Sequence, residues 1–197
     1  MWRSIAVCLL CGCALGQQKK PVTVEALARE RPPLPGAPLW APDGKRFVYQ
    51  EGRQVWLYDV AARSKRQVVS LEALEAAAVK VPPAARQEWQ NRNVRERSIQ
   101  WAPSGQDLLL AAGGDLFWFR LEAGGWTQLT ATAEGERDPK LSPDGQRVSF
   151  RRGRDLYVLK LASQKITRLT EDGSETLWNA QLDWVYPEEL FLETAHW

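Results

Sequence analysis

A turn of Pro-Asp-Gly type recurs three times in the 197-residue chain, and this repeat constrains the fold more than any other feature. An apolar residue opens each copy, and the copies are Trp40-Ala41-Pro42-Asp43-Gly44, Trp101-Ala102-Pro103-Ser104-Gly105 and Leu141-Ser142-Pro143-Asp144-Gly145. Proline presets φ, aspartate or serine bonds the nearby backbone, and glycine accepts a positive φ. A strand-like run follows each turn, which indicates one repeated supersecondary unit.

The second and third copies keep their register well beyond the turn, since the interval from Leu116 to Leu156 is the same as that from Thr130 to Thr170. In the third copy the pattern predicts strands over 147–152, 155–161 and 166–170, joined by tight turns as an antiparallel meander. The run 156–159 is apolar on both faces, as in a sheet that is covered on both sides.

A repeat of about 40 residues built from short antiparallel strands is typical of a β-propeller blade of four strands. We therefore expect an all-β fold, a partial β-propeller of about three four-stranded antiparallel blades beginning near Leu39. A plain β-sandwich with coincidental turns is the alternative.

Two intervals depart from the repeat. The interval from Gly44 to Gly105 is half as long again as the later one from Gly105 to Gly145, and we place the excess in a helical excursion over about 71–97. After the third copy a new opener is due near position 181, yet the next candidate is Trp197. Insertions in repeats usually occupy loops on one face, often the binding face, so we expect a functional insertion over about 179–192.

The first residues resemble an export signal. One early cation, Arg3, precedes an apolar run and a small-residue end at Gly16, which predicts a signal peptide over 1–16. The rival interpretation is a lipoprotein signal with lipid on Cys13. All three cysteines lie in this segment, and a Pro-rich lead-in over 17–38 follows it. Either way we expect the chain to be exported, periplasmic or secreted.

Charge and composition exclude several functions. The formal net charge is only +2, so nothing indicates a nucleic-acid partner. The single histidine is His196, next to the last residue, so a Ser-His-Asp catalytic triad with a histidine deep in the fold is excluded. We predict no catalytic residue, no metal ligand and no cofactor in this chain.

The insertion contains the segment Asp183-Trp184-Val185-Tyr186-Pro187-Glu188-Glu189-Leu190. Pro187 suits the first position of a helix, which would put Glu188 and Glu189 at the second and third positions, close in direction. Two carboxylates so placed can bind a cation. The alternative is structural, because acidic residues stabilise a helix N-terminus through its macrodipole.

This segment resembles the double-glutamate motif of the dipeptidyl peptidase IV family of serine peptidases, whose N-terminal domain is a β-propeller with similar repeats. The resemblance covers roughly 39–197 and implies that Glu188 and Glu189 bind the free N-terminal ammonium of a peptide substrate. Animal members often have a third acid where Pro187 stands here. The family also uses an arginine from a neighbouring loop; Arg137 is one of several arginines in plausible loops, and no motif fixes the match.

The resemblance further implies a C-terminal α/β-hydrolase domain in the full-length parent, and a homodimer is possible. No Gly-x-Ser-x-Gly nucleophile elbow occurs in the 197 residues, and three repeats are fewer than the roughly four blades that close a ring. We therefore expect an N-terminal part of an exported serine-type dipeptidyl peptidase. The alternative is a non-enzymatic exported propeller, similar to TolB, that binds a protein or peptide.

Overall fold

A computed structural model describes residues 37–79, 81, 97–183, 185–189 and 197, all of which lie within the compact unit Pro35–Trp197. The predicted signal peptide, including Cys13, and most of the predicted lead-in lie outside the described residues. So do residues 82–96 of the predicted excursion and 190–192 of the predicted insertion.

Three four-stranded sheets follow one another along the chain, and we call them the first, second and third blade. The first contains β1 (Leu39–Trp40), β2 (Arg46–Glu51), β3 (Gln54–Asp59) and β4 (Ser64–Ser70). The second contains β5 (Ile99–Trp101), β6 (Asp107–Ala112), β7 (Asp115–Arg120) and β8 (Gly125–Gln128). The third contains β9 (Glu136–Leu141), β10 (Arg147–Arg152), β11 (Asp155–Lys160) and β12 (Lys165–Arg168). Within each blade every strand pairs antiparallel with the next, which confirms the predicted meander and the four strands per blade.

The repeated turn has the backbone geometry that its residues predict. Gly44, Gly105 and Gly145 have φ of 66°, 67° and 67°, a region that costs residues with a Cβ. Each glycine N–H donates to the carbonyl three residues earlier at 2.8–2.9 Å, which closes a β-turn between the first two strands of each blade.

The core lies between blades and follows the two-residue period of the strands. Leu108 and Leu110 of β6 are buried in a cluster with Val48 and Leu57 of the first blade. Leu109, between them in sequence, is buried in a second cluster with Val148 of the third blade. Successive side chains on a strand point to opposite faces, so the middle blade is covered on both sides, as a propeller requires and a two-layer sandwich does not.

The first blade carries half-buried aromatic residues at positions where the second blade buries leucine and phenylalanine. Phe47, Tyr49, Trp56 and Tyr58 lie on the face of the first blade that points away from the second blade. They occupy the repeat positions of the buried Leu108, Leu110, Phe117 and Phe119. These four side chains are half-buried, and the Phe47 and Tyr58 rings stack with centroids 5.0 Å apart.

A tryptophan docks on the innermost strand of the preceding blade in two places. The indole N–H of Trp101 donates to the carbonyl of Leu39 at 2.8 Å, and that of Trp197 donates to the carbonyl of Lys140 at 3.2 Å. Leu39 and Lys140 are equivalent, because each precedes the opening residue of its repeat. Trp197 therefore contacts the third blade as Trp101 contacts the first.

Helix α1 (Leu71–Ala77) directly follows β4, inside the predicted excursion. Leu74 on this helix is fully buried in the cluster between the first and second blades. The chain just after the helix is held by the second blade, because the Val79 N–H donates to a carboxylate oxygen of Asp115 at 2.7 Å.

Candidate functional site

Both helices lie on connections that leave the same edge of the sheets. In an antiparallel meander successive turns alternate between the two ends of the strands, so the turn between the second and third strands lies at the same end as the connection that leaves the fourth strand. We call this end of the blades the upper edge. It carries the turns at 52–53, 113–114 and 153–154 and the connections that contain α1 and α2 (Val185–Glu189).

Helix α2 begins two residues earlier than the sequence predicts. The Val185 N–H donates to Oδ1 of Asp183 at 3.0 Å, so an aspartate caps the first turn. Pro187 consequently occupies the third helical position instead of the first. Proline is tolerated there because N–H groups in the first turn have no intrahelical acceptor to lose.

Glu188 and Glu189 follow Pro187 as the fourth and fifth residues of this helix. Consecutive helical residues differ by about 100° in direction, so neighbouring acids diverge less than they would on a strand, where they point to opposite faces. Glu189 is exposed, and the side chain of Glu188 lies outside the described residues, as does Trp184. The ammonium-binding role of the pair stays a prediction.

The segment that leads to this helix is fastened to the third blade through Asp155, the first residue of β11. One oxygen of its carboxylate accepts bonds from Thr170 Oγ1 at 2.9 Å and from Gly173 N at 3.0 Å. The same oxygen accepts a bond from Asn179 Nδ2 at 3.2 Å, and the other oxygen binds Arg168. One buried carboxylate thus gathers four donors from the chain that follows β11.

We call residues 171–183 the arm, since they join the third blade to α2. Asn179 fixes the arm a second time, because its side-chain amide also donates to Asp172 Oδ1 at 3.0 Å and its backbone N–H donates to the Arg154 carbonyl at 3.0 Å. The Arg154 guanidinium lies 5.4 Å from the centre of the Trp178 ring, within cation–π range.

Beyond Asn179 the arm turns sharply and is fixed once more. Ala180 has φ of 56°, a left-handed conformation that costs a residue with a Cβ about 1–2 kcal/mol. The next residue, Gln181, accepts a hydrogen bond from Arg151 Nη1 at 2.6 Å through its side-chain oxygen. Gln181 and the cap at Asp183 are the last described contacts of the arm before α2.

The second blade has an equivalent carboxylate, Asp115, that gathers four donors in the same way. Asp115, fully buried, accepts bonds from Thr130 Oγ1 at 3.4 Å, Gln128 Nε2 at 3.0 Å and the Thr132 N–H at 3.3 Å. Its fourth donor is the Val79 N–H after α1. In both blades the threonine also accepts the amide of the residue after the aspartate, so the pair closes the start of the third strand.

A buried ion pair supports the upper edge between the second and third blades. Arg152 donates through Nε and Nη2 to Oε1 of Glu136 at 3.1 and 2.7 Å. The Thr132 hydroxyl lies 3.0 Å from the same carboxylate, and the Thr130 hydroxyl lies 2.7 Å from it, so the single Thr130 proton is shared between Glu136 and Asp115. Burial raises the pKa of Glu136 above its ordinary value of 4.5, and these bonds oppose the rise.

Asp155 is shifted in the opposite direction. The hydrogen bond from Arg168 lowers the pKa of its carboxyl below the ordinary value of 3.8, and the bonds from Thr170 and Gly173 lower it further against the effect of burial. Asp155 therefore remains charged and accepts hydrogen bonds at neutral pH.

The arginine named in the sequence analysis is not in a loop. Arg137 lies in β9, half-buried, and its register partner is Arg151 on β10. The strand extends to Glu136 because Glu136 is the register partner of Arg152 on β10, and the Glu136 N–H also donates to the Gly114 carbonyl of the second blade. The prediction that Arg137 belongs to a loop is wrong.

Sequence reasoning also missed the two aspartates. The signal was present, because Asp115 and Asp155 keep the spacing of the repeat and each precedes its threonine by 15 residues. An aspartate at the start of a strand reads as part of a turn. Its role depends on donors up to 36 residues away in the sequence, which no local pattern reveals.

The described residues give little other evidence of a ligand site. A cavity of about 140 Å³ lies beside the arm, lined by Leu156, Val158, Ala180 and Trp197 among others. This is smaller than the roughly 300 Å³ at which ligand pockets begin. Within the described ranges no three His, Cys, Asp or Glu side chains could share a metal ion. Neither α1 nor α2 has the length and apolar character of a membrane-crossing helix.

Comparison with known proteins gives consistent matches. Residues 111–197 match the family model of the dipeptidyl peptidase IV (DPP IV) N-terminal region. A probable dipeptidyl-aminopeptidase B of Talaromyces marneffei is 46% identical over 50 residues, which are 25% of this chain and 6% of the relative. That of Phaeosphaeria nodorum is 44% identical over 54 residues, 27% of this chain and 6% of the relative. The matched stretches thus span only a small part of these relatives.

The fold has a solved counterpart. The crystal structure of Porphyromonas gingivalis dipeptidyl peptidase 4 is similar with a TM-score of 0.58 and 19% identity, over 88% of this chain and 25% of that chain. At this identity the likeness concerns the fold, and it supports the partial β-propeller.

Proposed function

Since residues 111–197 match the family model of the dipeptidyl peptidase IV N-terminal region, we propose that this chain is the substrate-recognition part of an exported serine-type dipeptidyl peptidase. The observation that carries the proposal is the placement of two adjacent glutamates on α2, at the end of an arm fastened to the third blade. The catalytic serine, aspartate and histidine belong to a C-terminal α/β-hydrolase domain outside these residues.

The chemistry of the pair suits a peptide with a free N-terminus. An ammonium group has three donors and no acceptor, and two carboxylates can accept all of them through charge-assisted bonds. Such bonds gain strength when a second domain covers the site and excludes water. Holding the ammonium at a fixed distance from a nucleophile selects the second peptide bond, because remote binding energy is used to orient the reacting bond.

Glutamine substitution tests the pair in the complete protein. We expect Glu188→Gln and Glu189→Gln each to lower kcat/KM for a free-amine dipeptide substrate about 10–100-fold, the equivalent of one charged hydrogen bond. Glu175→Gln is the matched control, because Glu175 is an exposed acid on the arm with the same change in charge. Equal activity of the wild type on a substrate and on its N-acetylated form would refute ammonium recognition.

The pH profile gives an independent measure. An α-amino group has a pKa of about 7.7–8.0, so we expect kcat/KM to fall above pH 8 as the substrate loses its charge. The fall should weaken in Glu189→Gln, since a neutral amide no longer prefers the charged amine.

Export is part of the proposal. A signal peptide over 1–16 would be removed after Gly16, and sequencing the N-terminus of the mature protein tests this directly. A lipid on Cys13 would instead appear as a modified N-terminal cysteine by mass spectrometry. Recovery of the mature protein with an intact N-terminus would contradict both forms of the proposal.

A further inference from the structure

Asn179 is the point at which the arm returns to the third blade. Its backbone N–H bonds Arg154, and its side-chain amide bridges Asp155 and Asp172, so three hydrogen bonds meet at one residue. The bridge closes the loop from Asp172 to Asn179 against the turn that begins β11.

The second blade shows which of these bonds are specific to the arm. Three donors of Asp115 have close equivalents at Asp155, since Gln128, Thr130 and Thr132 correspond to Arg168, Thr170 and Gly173. Asn179 has no counterpart among the described donors that belong to the second blade. Its place is taken there by Val79, which lies in the preceding insertion.

The path from Asn179 to the acidic pair is short and is constrained at three of its described residues. The left-handed turn at Ala180 redirects the chain, Gln181 bonds Arg151, and Asp183 caps α2. Glu189 lies ten residues beyond Asn179. A change in the anchor therefore shifts the start of this path and with it the helix that carries the acids.

We infer that Asn179 is a positioning residue for substrate recognition: by tying the arm to Asp155 and Asp172 it sets the distance between the acidic pair and the reacting bond. This inference rests on the proposed function of Glu188 and Glu189. Displacing a group that orients a substrate by about 1 Å can cost up to 100-fold in rate, so loss of the anchor affects catalysis without removing any substrate contact.

The test uses the complete protein and the ratio of kcat/KM for a free-amine dipeptide substrate to that for its N-acetylated form. We expect Asn179→Ala to lower this ratio about tenfold, through a lower kcat/KM for the free-amine substrate. Activity on the N-acetylated substrate should be unchanged, since that reaction does not use the acidic pair.

A second variant guards against simple unfolding. Asn179→Asp keeps the size of the side chain but sets a third carboxylate against Asp155 and Asp172, and like charges at this distance repel. We expect a loss of the ratio at least as large as in Asn179→Ala, partly recovered when Asp172→Asn is added, because an acid–amide pair is restored with its polarity reversed.

The control is Gln128→Ala, which likewise removes one amide side chain that donates to the buried aspartate, here Asp115 of the second blade, but which does not touch the arm. It should lower the thermal midpoint while leaving the ratio as in the wild type. A folded Asn179→Ala protein with the wild-type ratio would overturn the inference, as would an equal fall in Gln128→Ala. If instead the wild type itself shows no preference for the free amine, the proposed function fails, and the two failures are distinguishable.

Discussion

Asp115 and Asp155 occupy the same position in neighbouring blades, yet they organise different structures. Asp115 is fully buried, and its blade leaves through a connection of only seven residues between β8 and β9. Asp155 is slightly more exposed, and its blade leaves through the arm and α2. Each acid takes three donors from the last strand of its blade and the residues that follow it, and the fourth from an insertion that carries a helix.

The difference lies in the chemistry of the fourth donor. At Asp115 it is the backbone N–H of Val79, which only a proline could remove. At Asp155 it is the side-chain amide of Asn179, which a single substitution removes. Most substitutions at Val79 therefore leave the bond to Asp115 in place, whereas the bond between Asp155 and the arm depends on which side chain stands at position 179.

The largest expected contrast comes from removing the threonine hydroxyl in each blade. Thr130→Val leaves the buried Leu116 N–H and the Glu136 carboxylate each short of a bond, so we expect a loss of about 3 kcal/mol of local stability. Thr170→Val removes the bonds to Leu156 and Asp155 at a half-buried position and should cost about 1 kcal/mol. Hydrogen exchange of peptides spanning 107–120 and 147–160 measures both, and equal losses would show that the two devices are equivalent.

The next largest effect is a loss of stability in acid that arises from Asp155 of the third blade. The folded-state pKa of Asp155 lies below 3.8, so its carboxylate stabilises the fold above that pH, and the contribution is lost as pH falls through the folded pKa. We expect the urea midpoint, followed by tryptophan fluorescence, to fall below pH 4 in the wild type. The curve should be flatter in Asp155→Asn, whose side chain does not titrate. Parallel curves for the two proteins would assign the acid sensitivity to other carboxylates.

The smallest effect concerns the turn of the arm. Ala180→Gly removes the cost of a left-handed φ and adds chain entropy to the unfolded state, which should leave a net gain of about 0.5 kcal/mol. Ala162→Gly in the turn after β11, where φ is not positive, should give no gain. Slower hydrogen exchange in 171–183 for the first variant alone is the expected result, whereas slower exchange in both would argue against strain at Ala180.

The repeat made the fold readable from the sequence. The run 156–159 is apolar on both faces, and this pattern together with the glycine turns predicted strands that the structure places within one or two residues. Helix α2 was located less well, because its start depends on the cap supplied by Asp183 and a proline motif alone gave a later start. The anchor at Asp155 could not be read, since its donors are assembled only by folding.

The indole hydrogen bonds of Trp101 and Trp197 fix where each tryptophan meets the preceding blade, whatever the number of residues in the connection between them. Trp101 and Trp197 reach equivalent carbonyls across 62 and 57 positions of sequence, well over the length of one bare repeat. The position at which the chain returns to the preceding blade is thus set by a tryptophan side chain and not by the length of the connection. Segments that protrude from the upper edge can consequently lengthen, shorten or change composition during divergence while the blades keep their register.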